Sequence, residues 1–247
     1  MREKLIVEKT LGIPADYQYR AINDGLWLQK NWHRNKFEVL KQTITPRKNG
    51  KVLDLGTGSG NFELLFSKNF LEIVGVDYND AALDFLRKQL KKEGVDNVRL
   101  YQSDIRELPK DVTNIRFDLV IIVDTIEHIK KKDALGVISR ARGLLNRGGE
   151  LVIVTPNYSS VWIVLENILD KMSIVPKFAG KQHLSRFDRQ SLSTAFVRTG
   201  FSQIKISSFN LFSFLSPFKL LNLILLKFEL RFLRSSGCLI YISGKNI

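Results

Sequence analysis

Short apolar runs alternate with amphipathic stretches along the middle of the chain. The runs comprise residues 51–55, 71–77, 97–102, 117–124 and 150–156. Continuous apolar runs of this length are typical of strands that are buried on both faces of a sheet. The stretches between them, such as Asp80–Glu93 and Asp133–Leu145, have a helical pattern. This alternation predicts a doubly wound, Rossmann-like α/β fold with a mostly parallel sheet and right-handed crossovers.

The region before residue 51 is polar and helical in character, with its clearest helix over Trp27–Leu40. We therefore predict an N-terminal helical lid over residues 1–50 and a core domain over residues 51–247.

Beyond the five apolar runs, two further helices and two further strands are predicted. The helices cover Ser159–Met172 and Asp188–Thr199, and the strands cover residues 201–209 and 238–244. An apolar insertion, at about residues 210–236, separates these last two strands.

The insertion has the pattern of an amphipathic helix from Pro217 onward. One face would carry an apolar stripe of Leu221, Ile224, Leu225, Phe228 and Phe232, and Lys219, Lys227, Arg231 and Arg234 would lie toward the other. Charged residues interrupt the apolar run, so it is too short to span a bilayer. Three interpretations stay open: an anchor at the membrane surface, a dimer interface, or a helix packed on the chain's own core.

Charge and cysteine content narrow the range of partners and of cellular compartments expected for the protein. The 247 residues carry a net charge of +13, which favours nucleic acid, anionic lipid or an acidic metabolite as partners. The basic residues are scattered, however, as on solvated helix faces. Cys238 is the single cysteine, and the first residues have no apolar signal region. These features predict a cytoplasmic protein without disulfides.

A glycine-rich loop follows the first predicted strand in the sequence VLDLGTGSG, which contains Asp54, Gly56, Gly58 and Gly60. Glycine permits positive φ and a close approach of ligand to backbone. The loop alone is a weak signal, since a tight strand–helix turn can have the same composition. It becomes specific because Asp77, Asp104 and Asp124 stand at or just after the ends of the next three strands. Ligands bind at that edge of a parallel sheet.

Acids at four strand ends suit a cofactor that carries cationic groups and no phosphate. S-adenosylmethionine has a sulfonium and an ammonium group, so Asp54 beside the glycines favours it. The pyrophosphate of NAD prefers open amides and positive charge. The spacing GxGxG, rather than GxGxxG, also disfavours NAD and thus a dehydrogenase.

These segments together resemble the class I methyltransferase superfamily. The resemblance rests on VLDLGTGSG, the acid in VGVDYN, the SD of YQSDI, FDLVIIVDTIEHI and LLNRGGELVIVTPN. It covers roughly residues 35–208 and is most similar to the branch that includes ubiquinone-type O-methyltransferases. It implies a seven-stranded sheet in which one strand, residues 238–244, is antiparallel.

The resemblance also implies the cofactor-binding residues. Asp54 and the glycines would line the methionine moiety, Asp77 would hold the ribose, Asp104 with Ile105 would contact adenine, and residues 123–125 would close the site near the sulfonium. The full predicted set is Asp54, Gly56, Thr57, Gly58, Gly60, Asp77, Tyr78, Ser103, Asp104, Ile105, Val123, Asp124 and Thr125.

Residues for the chemistry are less well marked. Of the three histidines, His128 and His183 are candidate catalytic bases, although either could equally order a loop. His33 is predicted to order the lid. No spacing of acids and histidines indicates a metal centre, so no metal is expected.

We expect a small-molecule or lipid-like acceptor, methylated at oxygen, and peripheral contact with an anionic membrane through residues 210–234. The alternatives are an RNA methyltransferase, which the charge suggests, and a non-catalytic partner protein that keeps the fold. A homodimer is compatible with the sequence.

Overall fold

The computed structural model describes residues 14–164 and 183–247. The seven strands are β1 Arg47–Leu55, β2 Phe70–Asp77, β3 Val98–Gln102, β4 Phe117–Val123, β5 Leu145–Pro156, β6 Ser202–Phe209 and β7 Leu239–Lys245. The helices are α1 Tyr17–Asn23, α2 Trp27–Thr43, α3 Asn61–Phe66, α4 Asp80–Lys92, α5 Lys110–Thr113, α6 Lys131–Leu144, α7 Arg189–Arg198 and α8 Lys219–Phe232. Residues 162–164 are also helical, whereas the remainder of the predicted helix Ser159–Met172 lies largely outside the described residues.

All strands join one sheet in the order β3-β2-β1-β4-β5-β7-β6. Strands β1 to β5 are mutually parallel, and β7 runs antiparallel to both of its neighbours. The predicted fold, including the antiparallel strand at 238–244, is confirmed. The order of the chain reverses between β1 and β4, and a crevice opens beyond the carboxyl ends of strands at such a switch point.

Apolar side chains cover both faces of the sheet. One face packs against α6 and α7, through residues such as Ile138 and Phe196. The other face packs against α2, α3 and α8, through residues such as Leu40, Phe62 and Leu226. The lid and the apolar insertion therefore share a side of the sheet. Within the described residues, no helix is long and apolar enough to cross a membrane.

The lid is held to the glycine loop by direct contacts. The Tyr19 backbone N–H donates to Ser59 Oγ at 2.8 Å, and the Tyr19 ring packs edge-on against Phe85 of α4 at 5.2 Å between centroids. A Cβ at Gly58 would lie 2.8 Å from Gln18 Oε1. Because α1 lies against this loop, it covers the crevice from outside the sheet.

Candidate functional site

The glycine loop turns sharply between β1 and α3. Gly56, Gly58 and Gly60 have φ of +91°, +54° and +79°, which side-chain-bearing residues adopt rarely. The amides of Gly56 and Thr57 donate to the Val76 carbonyl at 2.8 and 3.2 Å, which ties the loop to the end of β2. A Cβ at Gly56 would lie 2.2 Å from Thr125 Oγ1. The loop after β1 thus packs directly on the segment after β4, as the switch-point geometry requires.

Asp77 ends β2 and is oriented by two backbone amides. Its Oδ2 accepts from the Gly58 N–H at 2.8 Å, and its Oδ1 accepts from the Asn79 N–H at 2.8 Å. Asn79 in turn caps α4 by accepting from the Ala82 N–H. These two hydrogen bonds orient the carboxylate at the edge of the glycine loop. Its position next to the glycine loop is the one that the sequence predicted for a ribose-binding acid.

Asp54 lies beneath the loop in a buried environment. It is 3% exposed, and its Oδ1 has no hydrogen-bond partner within residues 14–164 and 183–247. Burial raises the pKa of Asp54 to about 7, and the charge of Asp77 contributes to the rise. An unpartnered buried carboxylate is costly unless a donor or a cation satisfies it.

Glu63, on α3, is a second buried acid beside Asp54. It is fully buried, and a Cβ at Gly75 would lie 3.1 Å from its Oε1, so glycine in β2 makes room for it. Burial raises the pKa of Glu63 well above its usual range, and the charge of Asp54 adds to this. The sequence interpretation missed Glu63, because an acid in the first turn of a helix usually faces solvent.

Asp104 follows β3 and forms a two-pronged ion pair with Arg106. The Arg106 Nε lies 2.8 and 2.9 Å from the two carboxylate oxygens, and the Arg106 backbone N–H also donates to Oδ1 at 2.8 Å. The predicted adenine acceptor is thus already engaged by a guanidinium, which the sequence interpretation did not foresee. Neighbouring Ile105 is buried in the core, and Ser103 Oγ donates to the Glu107 carbonyl at 2.6 Å.

Asp124, just after β4, pairs with a buried lysine of the lid. Lys36 of α2 is 2% exposed, and its Nζ forms an ion pair with Asp124 Oδ2. Burial opposes ionisation of Asp124, but the Lys36 ammonium outweighs it and holds the pKa of Asp124 below its usual value. The backbone of Asp124 has φ of +49°, an unusual conformation for a residue with a side chain.

His33 completes this group one turn earlier in α2. Its Nδ1 accepts from Lys36 Nζ at 3.3 Å, and its ring packs edge-on to Tyr17 with 6.5 Å between centroids. Burial lowers the pKa of His33 to about 3, and the charge of Lys36 lowers it further. His33 is therefore neutral at physiological pH. Its predicted role in ordering the lid stays a prediction.

A cavity of about 360 Å³, part of which is open to solvent, joins these groups. Its lining comprises Gln18, His33, Lys36, Phe37, Asp54, Gly56, Thr57, Asn61, Phe62, Val123 and Asp124. The loop after β1 and the end of β4 form one wall of this cavity. The lid forms the opposite wall. Of the residues predicted near the methionine moiety and the sulfonium, Asp54, Gly56, Val123 and Asp124 line this cavity, whereas Gly58, Gly60 and Thr125 are not part of its lining. Those predicted for ribose and adenine follow β2 and β3, farther along the same edge of the sheet.

The two predicted catalytic histidines lie together in a separate cluster. The rings of His128 and His183 are 5.1 Å apart between centroids, and the Tyr158 hydroxyl contacts His183 Nδ1. The cluster includes Glu127, which is buried and accepts from Thr155 Oγ1 at 2.9 Å. Burial raises the pKa of Glu127.

One ligand atom from each of Glu127, His128 and His183 lies within 4.8 Å of the others. Such a grouping, which the sequence spacing did not reveal, could hold a cation. Glu127 and His183 are also engaged by protein hydrogen bonds. The expectation of no metal stays a prediction.

The lid supplies functional candidates that the sequence interpretation missed, namely Gln18 and Lys36. Lys36 is one of 38 basic residues, and nothing in its local sequence distinguishes it from a solvated lysine. Only its position opposite Asp124, 88 residues away, reveals it.

Comparison with known proteins identifies the family. The profile of a family described as a methyltransferase domain matches residues 46–193, which is more than half of the chain. A solved structure from Thermotoga maritima, described as an S-adenosylmethionine-dependent methyltransferase and possible histamine N-methyltransferase, superposes with a TM-score of 0.69. The superposition covers 98% of this chain and all of that one at 15% identity, so it supports the fold.

Curated relatives match over shorter segments. The ubiquinone biosynthesis O-methyltransferase of Acinetobacter baylyi is 27% identical over 43% of this chain and 44% of its own length. The ubiquinone/menaquinone biosynthesis C-methyltransferase of Azotobacter vinelandii is 31% identical over 56% and 53%. A 23S rRNA (uracil) C5-methyltransferase of Shewanella halifaxensis is 28% identical over 65% and 36%. The chain thus spans about half, or less, of the length of these relatives.

The profile match confirms the predicted resemblance to class I methyltransferases with ubiquinone-type relatives. The chain belongs to the methyltransferase domain family, and its cofactor is S-adenosylmethionine.

Proposed function

We propose that this protein transfers a methyl group from S-adenosylmethionine to an oxygen of a small-molecule or lipid-like acceptor. The observation that supports this best is the two-walled cavity at the β1–β4 switch point. One wall carries the glycine loop and Asp54, and the lid wall carries Lys36 and His33.

The residues present fit the cofactor. The unpartnered Asp54 Oδ1 is a natural acceptor for the ammonium of the methionine moiety, and Lys36 would pair with its carboxylate. Asp77 would accept from the ribose hydroxyls, as predicted. S-adenosylmethionine supplies a methyl group that the adjoining sulfonium already activates. The chain therefore contributes mainly the alignment of the acceptor and the exclusion of water.

An oxygen acceptor must lose a proton, so the proposal includes a group that takes it. His33 lines the described cavity but is a weak base, because burial lowers its pKa to about 3. We assign His33 to orienting the acceptor by a hydrogen bond. His128 and His183, which do not line this cavity and whose rings lie 5.1 Å apart, stay the predicted bases for an acceptor that extends to them.

The affinity for S-adenosylhomocysteine is expected to depend on pH. The ammonium of this ligand binds best to ionised Asp54, whose pKa is about 7 in the ligand-free protein. Below that value binding must release a proton, so affinity rises with pH by up to about tenfold per unit. Above about pH 8 it levels off, since Asp54 is then ionised beforehand. Calorimetric titration between pH 5.5 and 8 measures this.

The matched control for this prediction is Asp54→Asn, which removes the titrating group while keeping the shape of the side chain. Its affinity should be weak and nearly flat over the same range. A wild-type affinity that does not change with pH would contradict the assignment of the ammonium to Asp54.

Methylation of RNA is a second candidate function. The net charge of +13 and the partial similarity to an rRNA methyltransferase favour it. The lid weighs against it, because Tyr19 and Gln18 lie over the glycine loop and Gln18, His33 and Lys36 line the cavity. A polymer-linked base would need the lid to move.

The proposal also places the protein in the cytoplasm, with peripheral contact between residues 210–234 and an anionic membrane. A lipid-like acceptor would then be within reach of the bound protein.

Transfer of radiolabelled methyl groups into a cell extract tests the acceptor class. The reaction is partitioned into organic, small-molecule, RNA and protein fractions, with Asp77→Ala as the inactive control. We expect label in the organic or the small-molecule fraction, in a product that alkaline treatment or mass spectrometry identifies as an O-methyl compound. Label confined to RNA would overturn the preferred acceptor. Intact ligand binding with no label in any fraction would indicate a non-catalytic partner protein.

A further inference from the structure

Helix α8 buries two polar side chains and exposes most of its predicted apolar stripe. The buried residues are Asn222, Leu226 and Glu229. On the opposite side Leu221, Ile224, Phe228 and Phe232 are 44%, 55%, 46% and 62% exposed. A surface helix of a globular protein ordinarily buries its apolar stripe. The sequence interpretation in which the stripe packs on the chain's own core therefore does not hold for these four residues.

Specific hydrogen bonds fix this orientation. Asn222 and Asn35 of α2 exchange a reciprocal pair of amide hydrogen bonds, each 3.0 Å. Glu229 accepts from the backbone N–H groups of Phe212 and Ser213 at 2.7 and 2.6 Å, and from Ser213 Oγ at 2.9 Å. Turning the helix to bury its apolar stripe would break all of these hydrogen bonds. Their buried partners would then be left without hydrogen bonds or exposed to solvent. The outward apolar face is thus built into the fold.

The apolar surface continues into the segment before the helix. Leu215, Phe218 and Leu220 are 50%, 70% and 72% exposed. Clustered exposure of this kind, including several large side chains, marks an interaction site more often than a chance surface.

The charges around this face all have the same sign. Lys219, Lys227, Arg231 and Arg234 are exposed, while Glu229, the acidic residue between positions 210 and 236, is buried and bonded to backbone amides. Among residues 210–236, the outside of the helix therefore presents apolar side chains and cations and no carboxylate. This combination is complementary to an anionic lipid surface.

We propose that the outward face of α8, together with residues 215–218, docks on the surface of an anionic lipid bilayer. A second copy of the chain is a poorer occupant, because a symmetric contact would set the same four cations against their own copies. A bilayer offers hydrocarbon to the aromatic and aliphatic side chains and phosphate to the basic ones.

Docking would also fix the lid relative to the membrane. Beyond the Asn35–Asn222 pair, Asn31 Nδ2 of α2 donates to the Ser216 carbonyl at 2.6 Å, and Asn210 Nδ2 donates to the Trp32 carbonyl at 3.1 Å. The helix that carries Lys36 and His33 into the cavity is thereby attached to the docking face. This placement of the cavity rests on the proposed function; the docking itself does not.

Vesicle co-sedimentation with the full chain tests the proposal without cofactor or acceptor. Vesicles of phosphatidylcholine alone are compared with vesicles that also contain phosphatidylglycerol, at low and high salt. We expect binding to the anionic vesicles and its strong reduction at high salt. The double variant Ile224→Ser/Phe228→Ser should bind at least about tenfold more weakly, since it removes two of the apolar side chains that would be buried.

The matched control is Val197→Ser. Val197 is a residue of α7 that lies outside the docking face and is 62% exposed, so this variant should bind the anionic vesicles as the wild type does. Retained affinity for S-adenosylhomocysteine shows that each variant is folded. Absence of wild-type binding to anionic vesicles, or equal binding by the double variant, would overturn the proposal. So would a concentration-dependent dimer that the double variant abolishes. A protein that docks but transfers no methyl group would leave the docking face standing and overturn the proposed function instead.

Discussion

Gly56→Ala is expected to abolish measurable binding of S-adenosylhomocysteine and to destabilise the fold. The residue has φ of +91°, and an added Cβ would lie 2.2 Å from Thr125 Oγ1. The left-handed backbone alone costs a side-chain-bearing residue at least about 1–2 kcal/mol. Displacement of Thr125 would also disturb the wall of the cavity. Chemical denaturation and calorimetric titration measure the two effects.

Gly136→Ala provides the matched control, because Gly136 lies within α6 and a Cβ there meets nothing within 4 Å. Alanine favours helix over glycine by about 1 kcal/mol, so this variant should unfold at slightly higher denaturant and bind normally. Normal binding by Gly56→Ala would show that the loop does not approach the cofactor.

Asp77→Ala is expected to weaken the binding of S-adenosylhomocysteine by about 100-fold or more. A carboxylate that accepts from two ribose hydroxyls makes two hydrogen bonds to a charged group, each of which contributes about 1.5 kcal/mol or more. Together they amount to about 3 kcal/mol, or roughly 100-fold in affinity. Loss of the bonds from the Gly58 and Asn79 amides would add to the effect by loosening the loop.

Asp77→Asn separates these contributions, because one amide oxygen remains for the backbone N–H groups while the charge is lost. Asp84→Ala is the control for removing an acid, since Asp84 is exposed on α4 and paired with Arg87. The Asp84→Ala variant should bind S-adenosylhomocysteine with the wild-type affinity. Near-normal affinity in Asp77→Ala would mean that the ribose is held elsewhere.

The strands were predictable because a strand buried on both faces of a sheet is a continuous apolar run in the sequence. Residues 117–123 and 150–156 are nearly all apolar, and the structure buries them on both sides of the sheet. The acids that follow these strands were predictable for a related reason. Parallel strands end at one edge, so Asp54, Asp77 and Asp124 had to share it.

The partners of these acids could not be predicted, since each depends on a long-range contact or on the conformation of a loop. Lys36 reaches Asp124 across 88 residues, and Arg106 turns back on Asp104 through a local loop geometry. Glu63 of α3 lies against Gly75 of β2, where a Cβ would come 3.1 Å from its Oε1. None of these residue types is unusual at its position in the sequence.

The orientation of α8 was the largest departure from the pattern. Periodicity correctly grouped the apolar residues on one face of the helix. Whether that face points to the core or to solvent depends on the hydrogen bonds between Asn222 and Asn35, which are 187 residues apart. Local pattern identifies an amphipathic helix; the long-range hydrogen bonds decide which face is turned to the core.

Calorimetric titration of the wild-type protein with S-adenosylhomocysteine, and in parallel with NAD, tests the central claim most directly. The account predicts binding of one S-adenosylhomocysteine per chain, weakened by about 100-fold or more in Asp77→Ala, and no heat from NAD. Binding of NAD in competition with S-adenosylhomocysteine, or no binding of S-adenosylhomocysteine at all, would contradict it.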